Sequence, residues 1–212
     1  MRASRLAVED LDKIILKSGA HNQRAKNALC VMEAVAWVAG EKHSDHPVCA
    51  SRVIGAFLRS WNDAMSEADR QQLKPLIPRL INTAASEEIE LKRSYMALDW
   101  YCRVSAPAWL RLAGLVIEAE AIEATAPIVD TESARAAREA LDKACVAASA
   151  AWAAAGDAAG AAARDAAGDA AWDAAWAKLL PTVEALQKSA IDLVERMIAL
   201  SDPAESSAQT QE

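Results

Sequence analysis

The run WAAAGDAAGAAARDAAGDAAWDAAW, from Trp152 to Trp176, decides the fold class of this 212-residue chain. Alanine is the best helix former and fills most positions between the larger residues. Each glycine costs about 1 kcal/mol relative to alanine in a helix interior, which the surrounding alanines can carry. The run is therefore expected to be helical. Every fourth position reads Trp152, Gly156, Gly160, Arg164, Gly168, Trp172, Trp176. Four residues turn a helix by roughly 400°, so this column drifts by roughly 40° per step and winds around the axis. No single flat partner covers such a column, and the run reads as a thin strut approached by other helices from different sides. Small residues at this spacing also occur in membrane helices. Asp157, Asp165, Asp169, Asp173 and Arg164 oppose insertion, at roughly 2.5–3.5 kcal/mol per charge near a helix centre. No membrane span is expected.

The rest of the chain points the same way. Glycine and proline number seven each, there is one phenylalanine, and β-branched runs are short. That balance predicts an all-α protein, a multi-helix bundle with a long Ala-rich C-terminal helical segment. The net charge of −7, with no cluster of Lys and Arg, argues against binding duplex nucleic acid, which needs clustered cations to displace counterions. The four cysteines (Cys30, Cys49, Cys102, Cys145) show no paired spacing, and no secretory leader or long apolar run is evident. A reduced, cytoplasmic protein is expected.

Residues 1–7 read as a short basic leader. Helices are expected over Val8–Lys17, Asn22–Ala39 ending at Gly40, and from about Ser51 through Trp61, with Glu41–Ala50 as a polar loop. Ser66 with Asp69 resembles a capping box for a short helix. Pro75 and Pro78 punctuate the chain, Ser86 opens a helix to about Val104, and Pro107 begins another that Gly114 interrupts. Asp130 and Thr131 start the long segment. As one helix, Thr131–Leu180 would measure roughly 75 Å, against a radius of gyration near 17 Å for a compact chain of this length. A break near Gly156–Gly160 is therefore expected, with a second break or kink at Pro181. The composition divides a varied half (1–128) from an Ala/Trp-rich scaffold (129–200) sharing one core, with 201–212 as a polar, disordered tail.

The densest reactive cluster is Cys30, Glu33, Glu41, His43, Asp45, His46 and Cys49. Cys30 and Glu33 lie three apart, side by side on a helix face. His43, His46 and Cys49 are spaced by three across Pro47 and carry ligand types that zinc prefers, although the spacing matches no zinc finger. The plainer reading makes Cys30 a core residue, Asp45 a cap for a helix near Pro47, and the histidines solvated. No cofactor is expected; the alternative is zinc or another divalent metal on Cys30, His43, Asp45, His46 and Cys49. A third reading is a polar ligand pocket without metal. The second cluster holds Lys92, Arg93, Asp99, Tyr101, Arg103, Trp109 and Arg111. Arginine grips phosphate and tryptophan stacks on a base, so Arg93, Tyr101, Arg103 and Trp109, with Glu33, are the candidate ligand-binding residues. No catalytic triad, phosphate loop or HExxH is present.

The segment Cys30-Val-Met-Glu-Ala, Ala39-Gly40-Glu41 and Ser44-Asp45-His46-Pro47-Val48-Cys49 resembles a group of uncharacterised bacterial and phage-borne proteins. In these, a C-x-M-E-A…A-G-E…S-D-H-P-x-C block precedes an R-L-P-R-like segment, and longer members end in Ala/Trp/Asp arrays. The resemblance spans roughly residues 11–200, implies no activity, and directs attention to the Cys30–Cys49 block. The expected function is a non-catalytic binding protein for a small anionic, nucleotide-like ligand or a protein partner, as in a phage- or defence-related factor. One alternative is a metal-assisted hydrolase using His43, Asp45 and His46 as ligands with Glu33 as base. The other is a structural protein that self-associates into a homo-oligomer through its Gly/Ala face.

Overall fold

The computed structural model describes residues 11, 13–21, 28–162 and 169–202, with the side chains of 151–177 outside the description. The fold is all-α, a multi-helix bundle, and it divides into two compact units. The first takes residues 1–94 and 196–212, the second residues 95–195. The compositional seam at 125–130 falls inside the second.

The first unit opens with a correction. The expected helix over Val8–Lys17 gives way to a two-residue strand, β1 (Ile15–Leu16), paired in parallel with β2 (Ala28–Leu29). Gln71 explains why Leu16 is extended. Its side-chain oxygen accepts from the Leu16 amide at 3.0 Å and its amide donates to the Leu16 carbonyl at 3.0 Å, as a neighbouring strand would. The helix expected from Asn22 starts instead at Val31. In α1 (Val31–Ala39) Cys30 is the N-cap, its Sγ accepting from the Glu33 amide while the Glu33 carboxylate accepts from the Cys30 amide. Gly40 ends α1 at φ 73°, a left-handed conformation that costs other residues about 1–2 kcal/mol. Val31, Met32, Ala34, Val35, Ala36 and Val38 are all buried. A helix apolar on every side belongs at the centre of a core, and this one does.

Ser51 caps α2 (Arg52–Ala64), and Ser66 caps α3 (Glu67–Arg70). A 3₁₀ stretch over Gln71–Leu76, containing Pro75, leads into α4 (Ile77–Leu80). Leu73, Leu76, Ile77 and Leu80 point into the core. Asn82, at φ 64°, turns the chain towards α5 (Glu87–Trp100). Buried Glu90 on α5 accepts from Ser51 Oγ at 2.8 Å, the Val53 amide at 3.0 Å and Arg93 Nη1 at 2.7 Å. It thereby ties α5 to the start of α2.

In the second unit the helix continues beyond Trp100 through a wide π turn (Tyr101–Ser105) into α6 (Ala106–Leu112). Pro107 therefore does not begin a separate helix. It sits in the first turn of α6, where a proline without an amide hydrogen is tolerated, and the Ala106 amide reaches back to the Tyr101 carbonyl. Gly114, at φ 78°, makes the expected break before α7 (Val116–Glu123). Cys102, Leu110, Ala119, Ile122, Ile128, Ala137 and Ala144 form the unit's core.

Asp130 accepts from the Ser133 amide at 2.8 Å and starts α8 (Thr131–Ala162). This helix passes Gly156 and Gly160 without interruption, because two glycines among alanines are too weak to stop it. In the same way Pro181 lies within α9 (Asp169–Ile198) and does not end it. Whether α8 and α9 join lies outside the described residues, as do the packing of the Trp/Gly column, the basic leader and the tail beyond 202.

Ser51 serves two roles, capping α2 and donating to Glu90. Ser51→Ala is expected to lower stability by about 1–2 kcal/mol in urea denaturation; a loss under about 0.3 kcal/mol would contradict this reading of the junction.

Candidate functional site

The Cys30–Cys49 block folds around Glu33, whose side chain is 2% exposed. Its carboxylate accepts from the His21 amide at 2.6 Å, from His21 Nδ1 at 3.0 Å and from the Cys30 amide at 2.7 Å. His43 Nε2 lies 3.5 Å from the same carboxylate and 2.7 Å from the His21 carbonyl. Carboxylate and carbonyl oxygens only accept, so these bonds place hydrogens on His21 Nδ1 and His43 Nε2. Glu33 is thus a clasp joining the segment before β2, the start of α1 and the loop after it.

The loop over 41–50 has no regular structure, yet side chains pin it. Glu41 accepts from the Val48 and Cys49 amides at 2.7 and 2.8 Å. Partial burial opposes ionisation of Glu41, but the hydrogen bonds from the Cys49 thiol and these two amides outweigh it, holding its pKa below the ordinary value. Asp45 behaves likewise: the burial penalty is outweighed by the hydrogen bond and charge of His46 and by the charge of Arg59, so its pKa is lowered. Asp45 does not cap a helix near Pro47; the following helix begins at Arg52 under Ser51.

The expected metal ligands do not share a centre. Glu33 takes His21 and His43, Asp45 takes His46, and Cys49 turns to Glu41. Among the described residues no group of three or more His, Cys, Asp or Glu is placed to hold a metal ion. The thiols are poor ligands as they stand. Burial pushes Cys30 up to about 12, with the Glu33 charge adding to it, and burial with the Glu41 hydrogen bond pushes Cys49 up to about 11.

The second cluster also separates. Arg93 belongs to the first unit and is 1% exposed. Its Nε donates to the Met197 carbonyl at 2.9 Å, Nη1 to the Thr83 carbonyl and Glu90 at 2.7 Å each, and Nη2 to the Leu200 carbonyl at 2.7 Å. With four of its five N–H groups bonded to its own chain and almost no exposure, Arg93 is placed as a structural residue, and Glu33 is occupied in the same way. Tyr101, Arg103 and Trp109 lie in the second unit. Tyr101 and Trp109, 59% and 43% exposed, line an apolar cleft of about 530 Å³ with Leu110, Ile122, Leu141 and Cys145. Arg103 lines a different cleft of about 530 Å³ with Arg111, Leu112, Glu123, Thr182 and Leu186.

Arg111 is held by both oxygens of Glu123. Arg103 is less well served: Nη1 donates to Asp99 at 3.3 Å, the same Asp99 oxygen accepts from the Ile128 amide at 2.8 Å, and Nε is buried with no partner among the described residues. Stacking residues and cations thus face different clefts.

Comparison with protein-family models, curated proteins and solved structures gave no match to this chain. Among the described residues no helix is long and apolar enough to cross a membrane. Sequence reasoning passed over His21, which lies 12 residues from Glu33 with no local spacing to betray it. It also passed over Arg59, whose signal was its place one turn after Gly55.

The thiols give a direct check. A thiol whose pKa is raised on folding favours the folded state below its unfolded value, about 8.5, and this contribution is lost as the pH climbs through the folded value. In native protein at pH 8, exposed Cys145 is expected to react with an alkylating reagent while Cys30 does not, until denaturant is added. Mass spectrometry showing native Cys30 labelled as fast as Cys145 would refute the clasp geometry.

Proposed function

We propose that this chain is a non-catalytic binding protein whose second unit holds a small anionic ligand through Arg103. The observation that carries the reading is the guanidinium Nε of Arg103, buried without an acceptor. More than nine-tenths of buried polar groups in folded proteins have a partner, and an unsatisfied one costs about 1–3 kcal/mol. A shift of the side chain, 27% exposed, onto a ligand oxygen in the cleft would remove that cost, and Arg103 reaches Asp99 by only one long bond. The cleft also holds Glu123, its charge paired with Arg111, while Val104, Ala108, Leu112, Pro181, Ala185 and Leu186 are apolar. This combination suits an oxyanion head on an aliphatic body, with Thr182 as a further polar contact. A nucleotide fits less well, because Tyr101 and Trp109 line the other cleft.

The non-catalytic part rests on the state of the reactive groups. Cys30 and Cys49 are held as thiols, and the described histidines are bonded to Glu33 and Asp45. A protein partner is the second reading, favoured by the exposed aromatic pair over the apolar cleft; capture of a partner that is lost on Trp109→Ala would support it.

Isothermal titration with decanoate, decyl phosphate and adenosine monophosphate tests the first reading. The amphiphilic anions are expected to bind, with affinity at least tenfold weaker in Arg103→Leu and partly retained in Arg103→Lys. Binding unchanged by Arg103→Leu, or no binding of any of the three at millimolar concentration, would overturn it.

A further inference from the structure

The first unit carries a separate cleft of about 290 Å³, built by the loop at Pro47, the first turns of α2 and the start of α5. Its lining is mixed. Met32, Pro47, Ala50 and Ala84 give an apolar floor, and its arginines are Arg52, paired with the Glu87 carboxylate, and Arg59, which has no carboxylate partner among the described residues. Among the described residues its one hydrogen bond runs from Nη1 to the Asp45 carbonyl at 2.9 Å. That bond sets the position of the guanidinium and leaves the rest of its fork open.

Gly55 makes the arrangement possible. Residues four apart on a helix are neighbours, and a Cβ at position 55 would come within 3.3 Å of Arg59 Nη1 and 3.2 Å of Met32 Cε. With no side chain there, the guanidinium lies close over the helix backbone at the cleft.

The other charges around the cleft decide what it can take. Glu90 is consumed by Ser51, Val53 and Arg93. Glu87 at the rim is paired with Arg52, and the Asp45 carboxylate is held on His46 near Arg59. These acids repel a second negative charge, while a planar guanidinium offers two parallel donors to a carboxylate. The small volume and apolar floor limit the body to a few carbons.

We infer that the Pro47 cleft of the first unit is a binding site for a short-chain aliphatic monocarboxylate, gripped by Arg59 over Gly55. It is independent of Arg103, which lies in the other unit. An amphiphile with a long chain exceeds the cleft; a dianion meets Glu87 and Asp45.

Titration of the full chain with butyrate, methyl butyrate and inorganic phosphate, followed by calorimetry and by backbone amide shifts at 47–55, tests the site. Butyrate is expected to bind and shift those amides, methyl butyrate not to, and phosphate to bind at least tenfold more weakly. Arg59→Met is expected to abolish the butyrate shifts at 47–55, Arg59→Lys to retain part of them, and Gly55→Ala to weaken them severalfold. Thermal melts of each variant separate loss of the site from loss of the fold. Shifts at 47–55 unaffected by Arg59→Met, phosphate preferred over butyrate there, or no butyrate shift at 50 mM in folded protein would each overturn the inference.

Discussion

A guanidinium removed from water must find acceptors for its five N–H groups, and this requirement organises the described part of the chain. Arg93 answers it with four bonds and Arg70 with two, all to groups of the chain. Arg70 caps the end of α2, donating to the Asn62 and Met65 carbonyls at 2.6 Å each. Arg93 gathers the Thr83 and Glu90 oxygens together with the carbonyls of Met197 and Leu200. Removing one partner of such a buried pair typically costs about 3–5 kcal/mol, because the other charge is left uncompensated. Arg103 stands apart with a buried Nε that none of the described residues satisfies. The contrast within one molecule singles out Arg103.

The Cys30–Cys49 block follows the same economy with carboxylates. Glu33, Glu41 and Glu90 each accept from two or more groups of the chain, and each holds an irregular segment or a helix start. Fixing the backbone of an irregular residue costs about 1–2 kcal/mol, so a ten-residue loop is ordered only if many such bonds act together. The result is a rigid loop at His46 and Pro47, with Val48 left 85% exposed at its tip. Rigid irregular loops on a helical scaffold are where binding residues concentrate.

Local signals made most helix boundaries legible. Ser51, Ser66 and Asp130 mark starts, and Gly40 and Gly114 mark stops, because caps and left-handed turns depend on one residue and its near neighbours. The β1–β2 pair was not legible, since its extended backbone is set by Gln71, 55 residues along the chain. The break expected near Gly156–Gly160 came from the length of a straight rod, whereas the alanine flanks carry α8 past both glycines. The candidate sites divide on the same line. Arg103, Tyr101 and Trp109 were marked by residue type, but their assignment to different clefts depends on which side of the π turn or of α6 each faces. Arg93 looked like a ligand cation because the carbonyls that consume it lie 104 and 107 residues away.

The account stands most directly on the unused donors of Arg103, and arginine side-chain NMR reads them one by one. The Nε–H signals of Arg70 and Arg93 are expected to exchange slowly and to stay fixed on addition of decanoate. That of Arg103 is expected to exchange faster in free protein, then to shift and become protected when the anion is present. An Arg103 Nε–H as protected as that of Arg93 before any ligand is added, and unmoved afterwards, would contradict the account.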